Sequence, residues 1–98
     1  MTRTRNRHTL YNQQAAGTGE SIRLDTKFGD LYQGTVQVIT INGADSVQIQ
    51  ASVDGGETFV NIGTPFTSTG LATVDAVITN IRAVKTGSTG LAKVEYFG

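Results

Sequence analysis

Ser52-Val53-Asp54-Gly55-Gly56-Glu57-Thr58-Phe59 lies between two apolar runs and reads as a tight β-hairpin. The turn chemistry is local. Asp54 can bond its own backbone two residues on, and Gly55 and Gly56 tolerate the positive φ that such loops demand. The run leading in, Val47-Gln48-Ile49-Gln50-Ala51-Ser52, places Val47, Ile49 and Ala51 on one side of a strand and Gln48, Gln50 and Ser52 on the other. Phe59-Val60-Asn61-Ile62 then pairs back, and Pro65 restricts its stretch of chain to an edge or a loop.

The same grammar repeats on either side of this hairpin. Ile22 and Leu24 alternate with Ser21 and Arg23 in a short first strand, and Val36 to Ile41 is dense enough in β-branched residues to be covered on both faces. Asn42-Gly43 marks a hairpin, and Leu71 to Ile78, Ile81 to Thr86 and Leu91 to Phe97 supply further strands. Gly87-Ser88-Thr89-Gly90 joins the last pair as a closing hairpin loop. Six or seven short strands with turns roughly every 8–12 residues describe an all-β, antiparallel β-sandwich of jelly-roll or immunoglobulin-like type. Residues 1–19 carry little apolar content and end in Gln13-Gln14-Ala15-Ala16-Gly17-Thr18-Gly19, so they read as an extended basic N-terminal arm ahead of a domain over residues 20–98 that folds without it.

Composition narrows the function classes. The chain has 98 residues, enough for one core without staples, and its lack of cysteine excludes disulfides and thiolate metal sites. No apolar run approaches the ~20 residues of a membrane span, and the basic start lacks the apolar stretch of a signal peptide, so the expectation is a soluble chain made in the cytoplasm. Net charge is zero, yet Arg3, Arg5 and Arg7 leave five basic against eight acidic residues in the remainder, a net of −3. A basic arm on a mildly acidic body suits docking, and Arg3, Arg5, Arg7 and His8, anchored by Leu10 and Tyr11, are the candidate partner-docking residues.

Catalytic constellations are wanting. His8 is the single histidine and falls in the arm, so a serine triad has no base fixed on the scaffold. Asp45, Asp54, Glu57 and Asp75 fall at or near turns, where solvated acids are common, and nothing in their spacing selects a calcium site or a glycosidase pair. Gly17-Thr18-Gly19 lacks the strand-before, helix-after context of a phosphate loop. Three arginines without an aromatic platform are a weak nucleic-acid signal, and Tyr32, Phe66, Tyr96 and Phe97 read as sheet packing ahead of sugar stacking. The expectation is a non-enzyme with no cofactor and no membrane or nucleic-acid partner.

Ser52, Asp54, Gly56, Thr58 and Phe59 resemble the Asp-box, a hairpin element found in sialidases and many unrelated β-proteins, with Phe59 in place of the usual Trp. Together with Gly55 they form the candidate structural hairpin, and the resemblance implies architecture rather than chemistry. The body from about Ser21 to Gly98 resembles small bacteriophage virion proteins. The runs that carry this are Val47 to Gly56, Phe59-Val60-Asn61-Ile62-Gly63, Asn80-Ile81-Arg82-Ala83-Val84 and Gly87-Ser88-Thr89-Gly90. The resemblance implies a homo-oligomeric capsid decoration or cement protein, expected as a trimer on the virion with the major capsid protein or other virion proteins as partners. A neck or tail adaptor, a fibre-base protein and a carbohydrate-binding module are the alternatives.

Overall fold

The computed structural model describes residues 7–23, 33–75 and 78–97. Every regular element among them is a strand: β1 Arg7–Gln13, β2 Gly17–Thr18, β3 Ile22–Arg23, β4 Gln33–Thr40, β5 Ser46–Ser52, β6 Val60–Phe66, β7 Gly70–Asp75, β8 Asn80–Thr86 and β9 Ala92–Phe97. No helix long and apolar enough to cross a membrane occurs among the described residues. All pairings are antiparallel, and they build two sheets. One has the order β1-β9-β4-β7. In the other, β2 and β3 pair successive parts of β8 along one edge, and β5 and β6 lie beyond it.

The inner faces come from the period-two pattern. Val36, Val38, Val74, Val94 and Tyr96 from the first sheet and Val47, Ile49, Ala51, Ile81 and Ala83 from the second join one buried cluster. Each fully buried aliphatic contributes about 1.5–3 kcal/mol relative to exposure, so this shared core dominates stability. The expected alternation Val47, Ile49, Ala51 is present, but Ser52 is buried as well, held by its loop.

Three bulges set the phase. In β1 one extra residue between Thr9 and Tyr11 lets the consecutive Leu10 and Tyr11 both turn inward. In β4 a shift between Val38 and Thr40 leaves Ile39 at the surface and brings Ile41 against the core. Val36 to Ile41 is therefore covered on one face, where the sequence suggested two. In β6 the register jumps from Ile62 to Phe66 while β5 advances only from Ile49 to Val47, which places Gly63, Thr64 and Pro65 in the irregular segment of an edge strand. Gln48 Nε2 donates to the carbonyls of Ile62 and Gly63 there, at 3.1 and 3.3 Å.

Two expected hairpins are corrected. Asn42-Gly43 lies between β4 and β5, and Gly87 to Gly90 lie between β8 and β9, but each pair of strands belongs to different sheets. Both segments therefore cross from sheet to sheet. The one true hairpin between strands adjacent in sequence and in a sheet, among the described residues, is β5–β6, where Ala51 faces Val60. Its loop is longer than the tight turn expected.

The extended arm is corrected over the described residues. Residues 7–13 pair with β9 from Arg7 opposite Phe97 to Gln13 opposite Ala92, and Gly17–Thr18 pairs with β8. Apolar content was low there because two side chains, Leu10 and Tyr11, do the packing. They are 2% and 3% exposed. Arg3 and Arg5 lie outside the described residues.

Candidate functional site

Chemistry-bearing side chains gather at the two ends of β8. At its first residues, Thr79 N–H donates to the Ser52 carbonyl at 2.8 Å, fixing the β5–β6 loop beside the strand start. Within the loop, Ser52 Oγ donates to Asp54 Oδ1 at 2.6 Å and accepts from the Asp54 and Gly56 amides. Asp54 Oδ1 also accepts from the Thr58 amide at 2.9 Å, and the Gly55 amide donates to Thr79 Oγ1 at 3.0 Å. Gly55 and Gly56 take φ of 80° and 97°, the left-handed region that favours glycine. The hydroxyl of Ser52 and the Thr58 amide hold the Asp54 carboxyl at about 2, well below the usual carboxylate range. The residues of the Asp-box-like run are thus brought together as a folding unit. Phe59 adds an outward contact: Arg82 Cζ sits 3.8 Å from its ring centroid, and Arg82 Nε donates to Gln50 Oε1 at 2.8 Å. Gln50 in turn donates to Asn61 Oδ1, so this polar ladder ties β8, β5 and β6 across the outer face.

At the last residues of β8 lies a site that sequence reasoning missed. Lys85 and Asp45 form an ion pair at 3.0 Å with both side chains fully buried. Lys85 Nζ also donates to the carbonyls of Gln14 and Gly87, and Asp45 accepts from the Thr89 and Gly90 amides. One cation and one carboxylate therefore bind the chain between β1 and β2, the turn after β4 and the β8–β9 crossing. Burial pushes the Asp45 carboxyl up, but the bonds from Lys85, Gly90 and Thr89 outweigh it and hold it at about 2. Every Lys85 proton has an acceptor, the arrangement of a structural ammonium rather than of a nucleophilic amine. Gly87, at φ 91°, lies against Asp45 where a side chain would collide with the carboxylate. The available sequence signal was weak: an inward-phase lysine in the pattern of β8.

The expected docking residues part company. Arg7 Nη2 bonds Glu95 Oε1 at 3.2 Å across the β1–β9 ladder, and His8 sits half-buried opposite Tyr96. Leu10 and Tyr11 cannot anchor a partner: both are core, and Tyr11 Oη donates to the Ala15 carbonyl and accepts from Gln13 Nε2. Among the described residues no three His, Asp or Glu side chains converge as a metal site requires.

Between the edge strands β6 and β7, below the β5–β6 loop, the two sheets leave a cavity of about 470 Å³. Ala51, Val74 and Ile78 form its floor, and Val53, Val60 and Asp54 stand at its rim. Val53 and Val60 are 74% and 62% exposed, a strongly apolar opening for a small domain. Comparison with known proteins gives no match: no family model, no curated protein and no solved structure matches the chain.

Proposed function

We propose that this chain is a non-enzymatic structural protein of a bacteriophage virion, a capsid decoration or cement protein that associates as a homotrimer on a jelly-roll sandwich. The strand order carries the reading. Successive strands switch sheets at every step except β2 to β3, which share one edge, and the β5–β6 hairpin, and the orders β1-β9-β4-β7 and β2/β3-β8-β5-β6 fit two interlocked Greek keys. An immunoglobulin-like sandwich would instead keep several consecutive strands together in one sheet. Jelly rolls recur in viral capsid proteins, and the resemblance of the 47–63 and 80–90 runs to small virion proteins favours that role.

The chemistry of the described side chains supports a structural task. Asp45 and Lys85 tie loops, Asp54 organises its own turn, and Glu95 holds Arg7. Exposed Val53, Val60 and Leu71 at or near the β6 and β7 edges give apolar surface for association. Sedimentation over a wide concentration range, with copy number on purified particles, tests the reading. A trimer present in many copies over the shell is expected. A single ring per particle would move the assignment to a neck or tail adaptor, and chelator-sensitive glycan binding by a persistent monomer would replace it with a carbohydrate-binding module.

A further inference from the structure

The cavity between β6 and β7 combines aliphatic walls with a carboxylate. Val53, Val60, Ile62, Val74 and Ile78 supply the walls and Asp54 the charge. All of the loop's own bonds to the Asp54 carboxylate go to Oδ1, which leaves Oδ2 available to a cation. Glu57, exposed on the same loop, adds a second acid. Such a socket fits arginine, whose aliphatic stem lies along apolar surface while its guanidinium meets a carboxylate. The chain itself carries such a segment outside the described residues: Met1-Thr2-Arg3-Thr4-Arg5-Asn6.

The geometry points to residues 1–6 of a second copy as the occupant of this cavity, with Arg3 and Arg5 at the Asp54 and Glu57 rim. The inference rests on the reading of the chain as an assembly protein and names the seat of its tie. Reach argues for a second copy. Arg7, Phe97, Thr35 and Thr73 form one row across the first sheet, so the start of β1 is three strand spacings, ~14 Å, from the cavity's β7 wall. Arg5 is within ~7 Å of Arg7 along an extended chain and falls short of its own cavity, while Arg3, at ~14 Å, only just crosses the sheet. A neighbouring copy has no such limit. Charge argues the same way, since the first seven residues hold three cations and the remainder is net acidic. The Asp54 carboxyl, held at about 2, stays ionised at any physiological pH.

The absence of cysteine makes the test clean. Full-length Thr4→Cys protein mixed with full-length Val60→Cys protein should form an oxidised heterodimer at least tenfold faster than Thr4→Cys mixed with Thr86→Cys, an exposed site at the far end of β8. Arg3→Glu/Arg5→Glu in the Thr4→Cys chain, or high salt, should remove that advantage. Equal rates at positions 60 and 86, no cross-link, insensitivity to charge reversal, or a monomeric disulfide in a chain carrying both Thr4→Cys and Val60→Cys would each overturn the inference. Particle binding separates the two levels. If it survives Arg3→Glu/Arg5→Glu, the tie itself is wrong; if it is lost while no 4–60 cross-link forms, only the seat is wrong.

Discussion

The two ends of β8 solve the same problem with opposite means. At one end Asp54 is exposed and closes a loop from within, its partners Ser52 and Thr58 lying two and four residues away. At the other Asp45 is buried and its partners come from 40 to 45 residues away. Both carboxyls are held at about 2, yet the first arrangement is a property of a peptide and the second exists only in the folded chain. A local loop can therefore be lost alone, whereas the Asp45–Lys85 tie is part of the global unit.

Removing a whole participant puts this contrast under the heaviest strain. A chain starting at Glu20 loses β1, the core residues Leu10 and Tyr11, and the Gln14 carbonyl that accepts from Lys85. It should give no cooperative thermal transition by circular dichroism, and an intact two-state melt would show that β1 is dispensable. Next in size, Lys85→Met leaves Asp45 buried without its cation and should cost about 3–5 kcal/mol in urea unfolding, the usual penalty for breaking a buried pair from one side. A loss below about 1 kcal/mol would mean that the Thr89 and Gly90 amides suffice for the carboxylate.

Two glycines separate strain from collision. Gly87→Ala combines a left-handed backbone with a clash against Asp45, while Gly55→Ala at φ 80° meets nothing nearby and should cost only about 1 kcal/mol of backbone strain. Gly87→Ala should be clearly the more destabilising in the same urea series. Equal costs would imply that Asp45 can withdraw freely.

Acid titration distinguishes the two carboxyls further. Both are depressed from 3.8 to about 2, so their stabilisation is complete above about pH 4 and is lost as pH falls through 2. Asp54→Asn should flatten the loss between pH 4 and 2 by one group's share, and amide exchange at Gly56 and Thr58 should rise without global unfolding. Unchanged exchange there would show that the loop does not depend on the ionised carboxylate. The smallest effect is expected from Arg82→Gln, which removes the contact with Phe59 at a cost of about 0.5–1 kcal/mol by thermal melt.

Contiguous residues settle only what a few neighbours can decide among themselves. The β5–β6 hairpin, its glycines at positive φ, the inward set Val47, Ile49 and Ala51, and Pro65 on an edge strand were all legible, because turn chemistry and period-two alternation act over a few residues. The all-β class came from the density of β-branched residues and glycine. Which strand meets which is a property of the folded chain alone. Asn42-Gly43 and Gly87 to Gly90 carry hairpin residues, but turn chemistry bends the backbone without choosing the sheet its two ends join. A bulge at Leu10 hid a core strand inside a polar-looking start, since two consecutive inward side chains break the alternation that reveals a strand. The Asp45–Lys85 tie was invisible for the same physical reason. A buried ion pair has no local signature, because its favourable terms come from acceptors and donors that only long-range folding assembles.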